Sequence, residues 1–188
     1  MNAWKQKRSV MRRYDLTAHL YDVRYAEEQE AKYKVALEDL SVTRNSVVLD
    51  VGCGTGLLFS YIAAEAKLVV GVDVSKQLLL QAWKRAGNFR SVHLVQADAD
   101  HLPFRDACFS AVFAFTVLQN MPKPSETLVE IGRTARRDAF ILITGLKKAF
   151  SFEAFGELLQ QAGLRAVSLK DDDALRCYVA VSVKSLRL

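Results

Sequence analysis

Val47-Val48-Leu49-Asp50-Val51-Gly52-Cys53-Gly54-Thr55-Gly56 is the stretch that decides how this chain folds. The apolar residues around Asp50 have the composition of a buried strand, and glycines then occupy every second position. Gly52, Gly54 and Gly56 let the backbone turn sharply and approach a ligand with no Cβ in the way. Thr55 is placed to begin capping a helix expected over 57–65. A strand, a glycine loop and a helix in that order make a cradle. A dinucleotide loop spaces its glycines G-x-G-x-x-G and receives pyrophosphate at the helix N-terminus. Here the spacing is G-x-G-x-G and a carboxylate, Asp50, precedes it. That carboxylate would repel phosphate and suits a ligand end carrying positive charge, an ammonium or a sulfonium.

Working outward, residues 68–74 (Leu-Val-Val-Gly-Val-Asp-Val) read as a fully buried strand of a parallel sheet. It carries Asp73, 23 residues beyond Asp50, close to the ~20 residues at which a second-strand carboxylate meets ribose hydroxyls in nucleotide-binding folds. A helix over 75–86 capped by Ser75 and a strand over 92–97 lead to Asp98-Ala99-Asp100-His101-Leu102-Pro103-Phe104. A lone Asp at a strand end commonly closes a turn, which is reading enough for Asp100 and Asp106. The ordered set Asp50, Asp73, Asp98 instead falls where a doubly wound sheet opens its ligand-binding carboxyl edge. Strands over 111–115 and 139–144 flank a helix over 125–136, with right-handed crossovers implied. A helix over 152–162, closed by Gly163, precedes strands over 165–170 and 176–183. The link between them, Asp171-Asp172-Asp173-Ala174, is too short for a crossover, so those strands must pair antiparallel. The expected fold is a Rossmann-like α/β sheet, mostly parallel with a C-terminal antiparallel hairpin, and helices on both faces. At 188 residues and 51% hydrophobic the chain is read as one domain: a basic arm over 1–13, a helical lid over 14–45 and a core over 46–188.

The string V-L-D-V-G-C-G-T-G at 48–56 resembles the first motif of class I S-adenosylmethionine (SAM) dependent methyltransferases, whose sheet also ends in an antiparallel hairpin. The resemblance implies SAM as cofactor. It assigns Asp73 to the adenosine ribose, and Asp98 with the backbone N–H of Ala99 to the adenine. Asp50, Gly52, Cys53, Gly54, Gly56, Val74 and Phe115 complete the cofactor contacts it implies. Tyr14-Asp15-Leu16-Thr17-Ala18-His19-Leu20-Tyr21-Asp22 is similar to the Y-D-x-x-A-x-x-Y-D opening of the ubiquinone-biosynthesis-like group. In that group it forms a helical lid, which makes Tyr21 the residue to touch the SAM carboxylate. A second helix is expected over 27–40, with Glu27, Glu28 and Glu30 early and Lys32 and Lys34 later, as the helix dipole favours.

The acceptor is expected to meet the methyl group at the end of the fourth strand, with Thr116, Gln119 and Asn120 as candidate contacts. Enzymes that methylate an exocyclic base amine carry an N-P-P-Y-like string there; here Asn120 and Pro122 are not adjacent. No cysteine lies in the segment, which argues against base C5 methylation through a covalent thiolate adduct. The +5 net charge resides in Lys5, Lys7, Arg8, Arg12 and Arg13, because the remaining 21 basic and 21 acidic residues balance. With Trp4 and Tyr14, such an arm is able to follow a phosphate backbone and stack a base; it reads equally well as a solvated tail. Lys147-Lys148 on the active edge favours RNA and Asp171 to Asp173 opposes it. The acceptor expected is an RNA base, ribosomal or transfer; a small molecule is the alternative, and a non-catalytic SAM-binding subunit a further one. Cys53, Cys108 and Cys177 form no C-x-x-C pair, and His19, His93 and His101 are dispersed, so no metal is expected and the cysteines fit a reducing cytoplasm. No stretch has the length of a membrane span, and the N-terminus lacks the apolar core of a signal peptide.

Overall fold

The computed structural model describes residues 2–38 and 40–185. Helix α1 (Ala3–Thr17) is capped by Asn2 and passes through a single 3-10 turn (Ala18–Leu20) into α2 (Tyr21–Leu37). Strands and helices then alternate: β1 (Val47–Val51), the short α3 (Phe59–Ile62), β2 (Leu68–Asp73), α4 (Lys76–Ala86), β3 (Val92–Gln96), β4 (Phe109–Ala114), α5 (Pro124–Thr134), β5 (Ala135–Leu146), α6 (Phe152–Gln161), β6 (Leu164–Asp171) and β7 (Cys177–Lys184). The seven strands form one sheet in the order β3-β2-β1-β4-β5-β7-β6. The first five run parallel, and β7 inserts antiparallel between β5 and β6. This is the sheet expected, including the terminal hairpin.

Both faces of the sheet are covered. Tyr33 and Ala36 of α2, Phe59 and Ile62 of α3 and Ala82 of α4 pack one face against Val48, Val69 and Phe113. Leu128 and Ile131 of α5 with Phe155 and Leu159 of α6 pack the other against Leu49, Val51, Val112 and Ile141. Alternate residues of β1 thus serve opposite cores, as the two-residue period of a strand requires. The chain order turns back between β1 and β4, and the crevice at such a switch point is where α/β sheets bind ligands.

Several boundaries differ from the sequence reading. The α5 helix stops at Thr134, whose hydroxyl bonds back to Ile131 O at 2.9 Å, and the exposed run Arg136-Arg137-Asp138 is already strand β5. Its three charged residues concealed that extension. The helix expected over 57–65 shrinks to one turn, α3, and Thr55 does not cap it: its hydroxyl bonds Asp22 Oδ1 at 2.5 Å. Ser75 does cap α4, accepting from the Leu78 N–H at 3.2 Å. At the N-terminal end α1 runs unbroken from Ala3 to Thr17, across the boundary expected at position 13, and lies on the carboxyl edge of the sheet.

Candidate active site

Glycine geometry opens the site. Gly52 has φ +69°, and a Cβ there would fall 2.6 Å from Val117 Cγ2, beyond the end of β4. Gly54 has φ +56° and faces the Tyr21 ring. The loop can therefore run flat beside the switch point only without side chains. The cleft so formed has a volume of about 700 Å³ counted to its open mouth, within the range of small-molecule sites. Val72, Leu78, Phe115, Val117 and Met121 supply apolar walls, and Asp73, Asp98 and Thr116 the polar points.

Of the residues singled out from the sequence, Tyr21, Gly52, Gly54, Asp73, Val74, Asp98, Ala99, Phe115, Thr116 and Asn120 line this cleft together. Asp50, Cys53, Gly56 and Gln119 do not. Cys53 is buried in the core under α3, and its thiol is pushed well above the ordinary range by burial and by Asp50 and Asp73. Gly56 turns inward on the Phe59 ring. Gln119 donates to Thr116 O, and its own Oε1 is buried without a partner.

The two carboxylates flanking the glycine loop are both buried. Asp73 accepts the Gly54 N–H at 3.0 Å and the Ser75 N–H at 2.8 Å. Burial lifts its carboxyl to about 6, and the two N–H donors restrain the rise. Asp50 is 3% exposed; burial and the neighbouring Asp73 push it up to about 8. The charge of Asp73 thus disfavours ionisation of the more deeply buried Asp50.

The lid is pinned to four strand ends. Asp15 accepts from Ser75 Oγ at 2.6 Å and from the Gln77 N–H at 3.2 Å, beyond β2. Asp22 holds Thr55 beyond β1 and pairs with Arg85 Nη2 at 2.9 Å. Lys7 donates to both oxygens of Asp98 beyond β3, at 2.8 and 2.6 Å, and also bridges Asp100. Desolvation pulls the Lys7 ammonium down, yet its contacts with Asp100 and Asp98 outweigh it and hold the pKa above the ordinary value. Beyond β4, Asn120 Nδ2 donates to Tyr14 Oη at 3.2 Å, and Arg13 Nη2 donates to Asn120 Oδ1 at 3.0 Å. Two of the five N-terminal cations, Lys7 and Arg13, are therefore engaged within the protein. Lys5, Arg8 and Arg12 remain exposed and share one outward face of α1 at helical spacing.

Sequence reasoning missed a further group. Lys32, whose place late in its helix the dipole explains, is also 0% exposed. Its Nζ pairs with Glu28 Oε1 at 2.7 Å and donates to Thr116 Oγ1 at 3.1 Å. Gln29 Nε2 donates to the same hydroxyl at 3.2 Å. Thr116 has φ +62°, unusual for a β-branched residue, and such strain clusters at functional sites. The available signal was position: Gln29, Lys32, Tyr33 and Ala36 follow the i, i+3, i+4, i+7 rule of a buried helix face.

Known proteins agree with this geometry. The family model described as a methyltransferase domain matches residues 49–143. The malonyl-[acyl-carrier protein] O-methyltransferase of Marinomonas sp. (strain MWYL1) is 28% identical over 150 residues, 79% of this chain and 55% of that protein. The tRNA U34 carboxymethyltransferase of Shewanella sediminis (strain HAW-EB3) is 36% identical over 124 residues, 64% of this chain and 37% of that protein. The chain thus spans about half or less of these two curated relatives. The magnesium protoporphyrin IX methyltransferase of Synechocystis PCC 6803, solved with bound SAM, shares the fold at TM-score 0.77 and 19% identity, over 96% of this chain and 97% of that one. With the glycine loop at the switch point and the family match across β1 to β5, this chain belongs to the class I SAM-dependent methyltransferases.

Proposed function

We propose that the protein methylates a small acceptor held under α1 at the end of β4. The observation that carries this reading is the inward face of α1: Lys7, Val10 and Tyr14 line the cleft. In this reading Asp73 takes the ribose hydroxyls, and Asp98 and the Ala99 N–H take the adenine. Gly52 and Gly54 admit the methionine part, and Tyr21 faces its carboxylate. Asp50 lies behind the loop and acts through its charge, ionising fully once an ammonium is seated nearby. Bound SAM supplies a methyl group already activated on a sulfonium, so the protein's task is alignment and exclusion of water. Thr116 and Asn120, with Tyr14, border the acceptor. Gln119 acts from behind them, steadying the Thr116 carbonyl.

A second reading has its own observation. Lys5, Arg8 and Arg12 form an exposed basic face beside Trp4, which is 51% exposed, and one relative named above acts on tRNA. An RNA acceptor would bind this outer face and present a base to the same cleft, in the cytoplasm. Incubation with methyl-labelled SAM and separated cell extract fractions tests the two. We expect label in the small-molecule fraction, unchanged in a Lys5→Ala/Arg8→Ala/Arg12→Ala variant. Label in tRNA or rRNA, lost in that variant and falling steeply with salt, would establish the RNA reading in its place.

A further inference from the structure

Hydrogen-bond donors gather at the acceptor end of the cleft. A hydroxyl has two lone pairs and one proton. At Thr116 Oγ1 the lone pairs face Lys32 Nζ at 3.1 Å and Gln29 Nε2 at 3.2 Å. An ammonium can only donate, so the Thr116 proton must point elsewhere. Among the described residues its one acceptor is Gln29 Oε1 at 3.5 Å, the outer limit of a hydrogen bond, and Thr116 itself lines the cleft. Tyr14 Oη repeats the pattern, accepting from Asn120 Nδ2 at 3.2 Å and so keeping its proton to give. Arg13 lies over the Tyr14 ring, its guanidinium carbon 5.0 Å from the centroid, and adds positive charge at the mouth. The Thr116 carbonyl is already taken by Gln119 Nε2 and by Asn120 Nδ2 at 3.1 Å. An amine acceptor would have to share Asn120 Oδ1 with Arg13 or Tyr14 Oη with Asn120 to place its N–H groups.

We propose that this end of the cleft takes an oxyanion, in the simplest case a carboxylate, with Thr116 and Tyr14 donating to it and Lys32 as the positioning residue that fixes Thr116 as a donor. The inference rests on the reading of the cleft as a SAM site with its acceptor end at β4. The chemistry balances without a base. A carboxylate oxygen lone pair forms the new O–CH3 bond as the C–S pair returns to sulfur, giving a methyl ester and a neutral thioether. No proton is released. The walls around the donors, Val10, Phe115, Val117 and Met121, are apolar, so the oxyanion should sit on an apolar body.

Matched probes test this: octanoate and octylamine, titrated calorimetrically into the protein saturated with S-adenosylhomocysteine. We expect octanoate to bind at least about tenfold more tightly, as one charge-assisted hydrogen bond allows. Thr116→Val and Lys32→Met should bring the octanoate-to-octylamine ratio near one, and Thr116→Ser should preserve it. SAM affinity should stay within about twofold of wild type in all three. Because the readout is a ratio, a general loss of stability does not imitate it. Equal or tighter binding of octylamine, binding of neither probe, or a ratio unchanged in both Thr116→Val and Lys32→Met would overturn the proposal. Failure of the wild-type protein to bind SAM would instead overturn the cofactor reading beneath it.

Discussion

Replacing Asp50 with Asn should stabilise the cofactor-free protein and weaken its hold on SAM. The side chain is buried between the glycine loop and α2, and its carboxyl is lifted from 3.8 to about 8, first by desolvation and then by Asp73. A group whose folded pKa is raised contributes its full stability below the unfolded value. That stability is lost as pH rises through the folded value, here between about pH 4 and 8. Each unit of displacement is worth about 1.4 kcal/mol, so at pH 5 the charge opposes folding by about 1.5 kcal/mol and at pH 8 by about 5 kcal/mol. Asn keeps the shape and removes the ionisation. The gain from Asp50→Asn should therefore be about 3.5 kcal/mol larger at pH 8 than at pH 5, a difference of roughly 7–14 °C in Tm for a domain of this size. Thermal unfolding of both proteins at the two pH values, without ligand, measures it. With SAM the order should reverse, because a seated ammonium turns the wild-type carboxylate from a liability into a partner. A variant stabilised equally at both pH values, or destabilised more at pH 8, would refute the reasoning.

Wild-type SAM affinity should rise between pH 6 and 8 as Asp50 ionises, with proton release visible as a dependence of calorimetric heat on buffer ionisation enthalpy; affinity falling over that range would count against it. Lys7→Met should free Asp98 for the adenine while leaving Asp100 unneutralised. We expect faster SAM association in stopped-flow fluorescence together with a loss of about 1–3 kcal/mol in the free protein, and slower association would show that Lys7 assists entry. Ala107 sits at φ +54° on an exposed turn, so Ala107→Gly should stabilise by about 1 kcal/mol in urea unfolding, and destabilisation would contradict the strain assigned there. Burial and the nearby carboxylates raise the Cys53 thiol, and burial lifts Cys177 to about 11. Iodoacetamide at pH 8 should therefore label Cys108 alone in the native protein; rapid native labelling of Cys53 would mean that the loop opens.

What was legible in the sequence was whatever leaves a one-dimensional trace. The strand before Gly52, the glycine spacing and the short link between 170 and 176 foretold the sheet and its antiparallel end, because each has few backbone solutions. The cleft-lining Asp73 and Asp98 were legible as strand-end carboxylates in register with that loop. The side chains that couple distant segments were not. Lys7 reads as one cation in a basic run, and only the α1 trajectory sets it between Asp98 and Asp100. Asp15 and Asp22 belong to the opening motif, yet its tyrosines drew the attention while the aspartates make the ties to Ser75, Thr55 and Arg85. Lys32 looks like a solvated charge until Gln29, Tyr33 and Ala36 are seen to share its buried face. Asp50 shows a subtler limit: the sequence sets a carboxylate just before the glycine loop, and the structure places it behind the loop and not on the cleft wall.

The central claim is that the cleft between the glycine loop, Asp73 and α1 is the seat of SAM, and a crystal structure of the protein with S-adenosylhomocysteine tests it most directly. We expect the ribose on Asp73, the adenine between Asp98 and the Ala99 N–H with Lys7 withdrawn from Asp98, and the sulfur turned toward Thr116. A ligand seated elsewhere on the sheet, or an adenine placed with the Lys7–Asp98 pair intact, would contradict it.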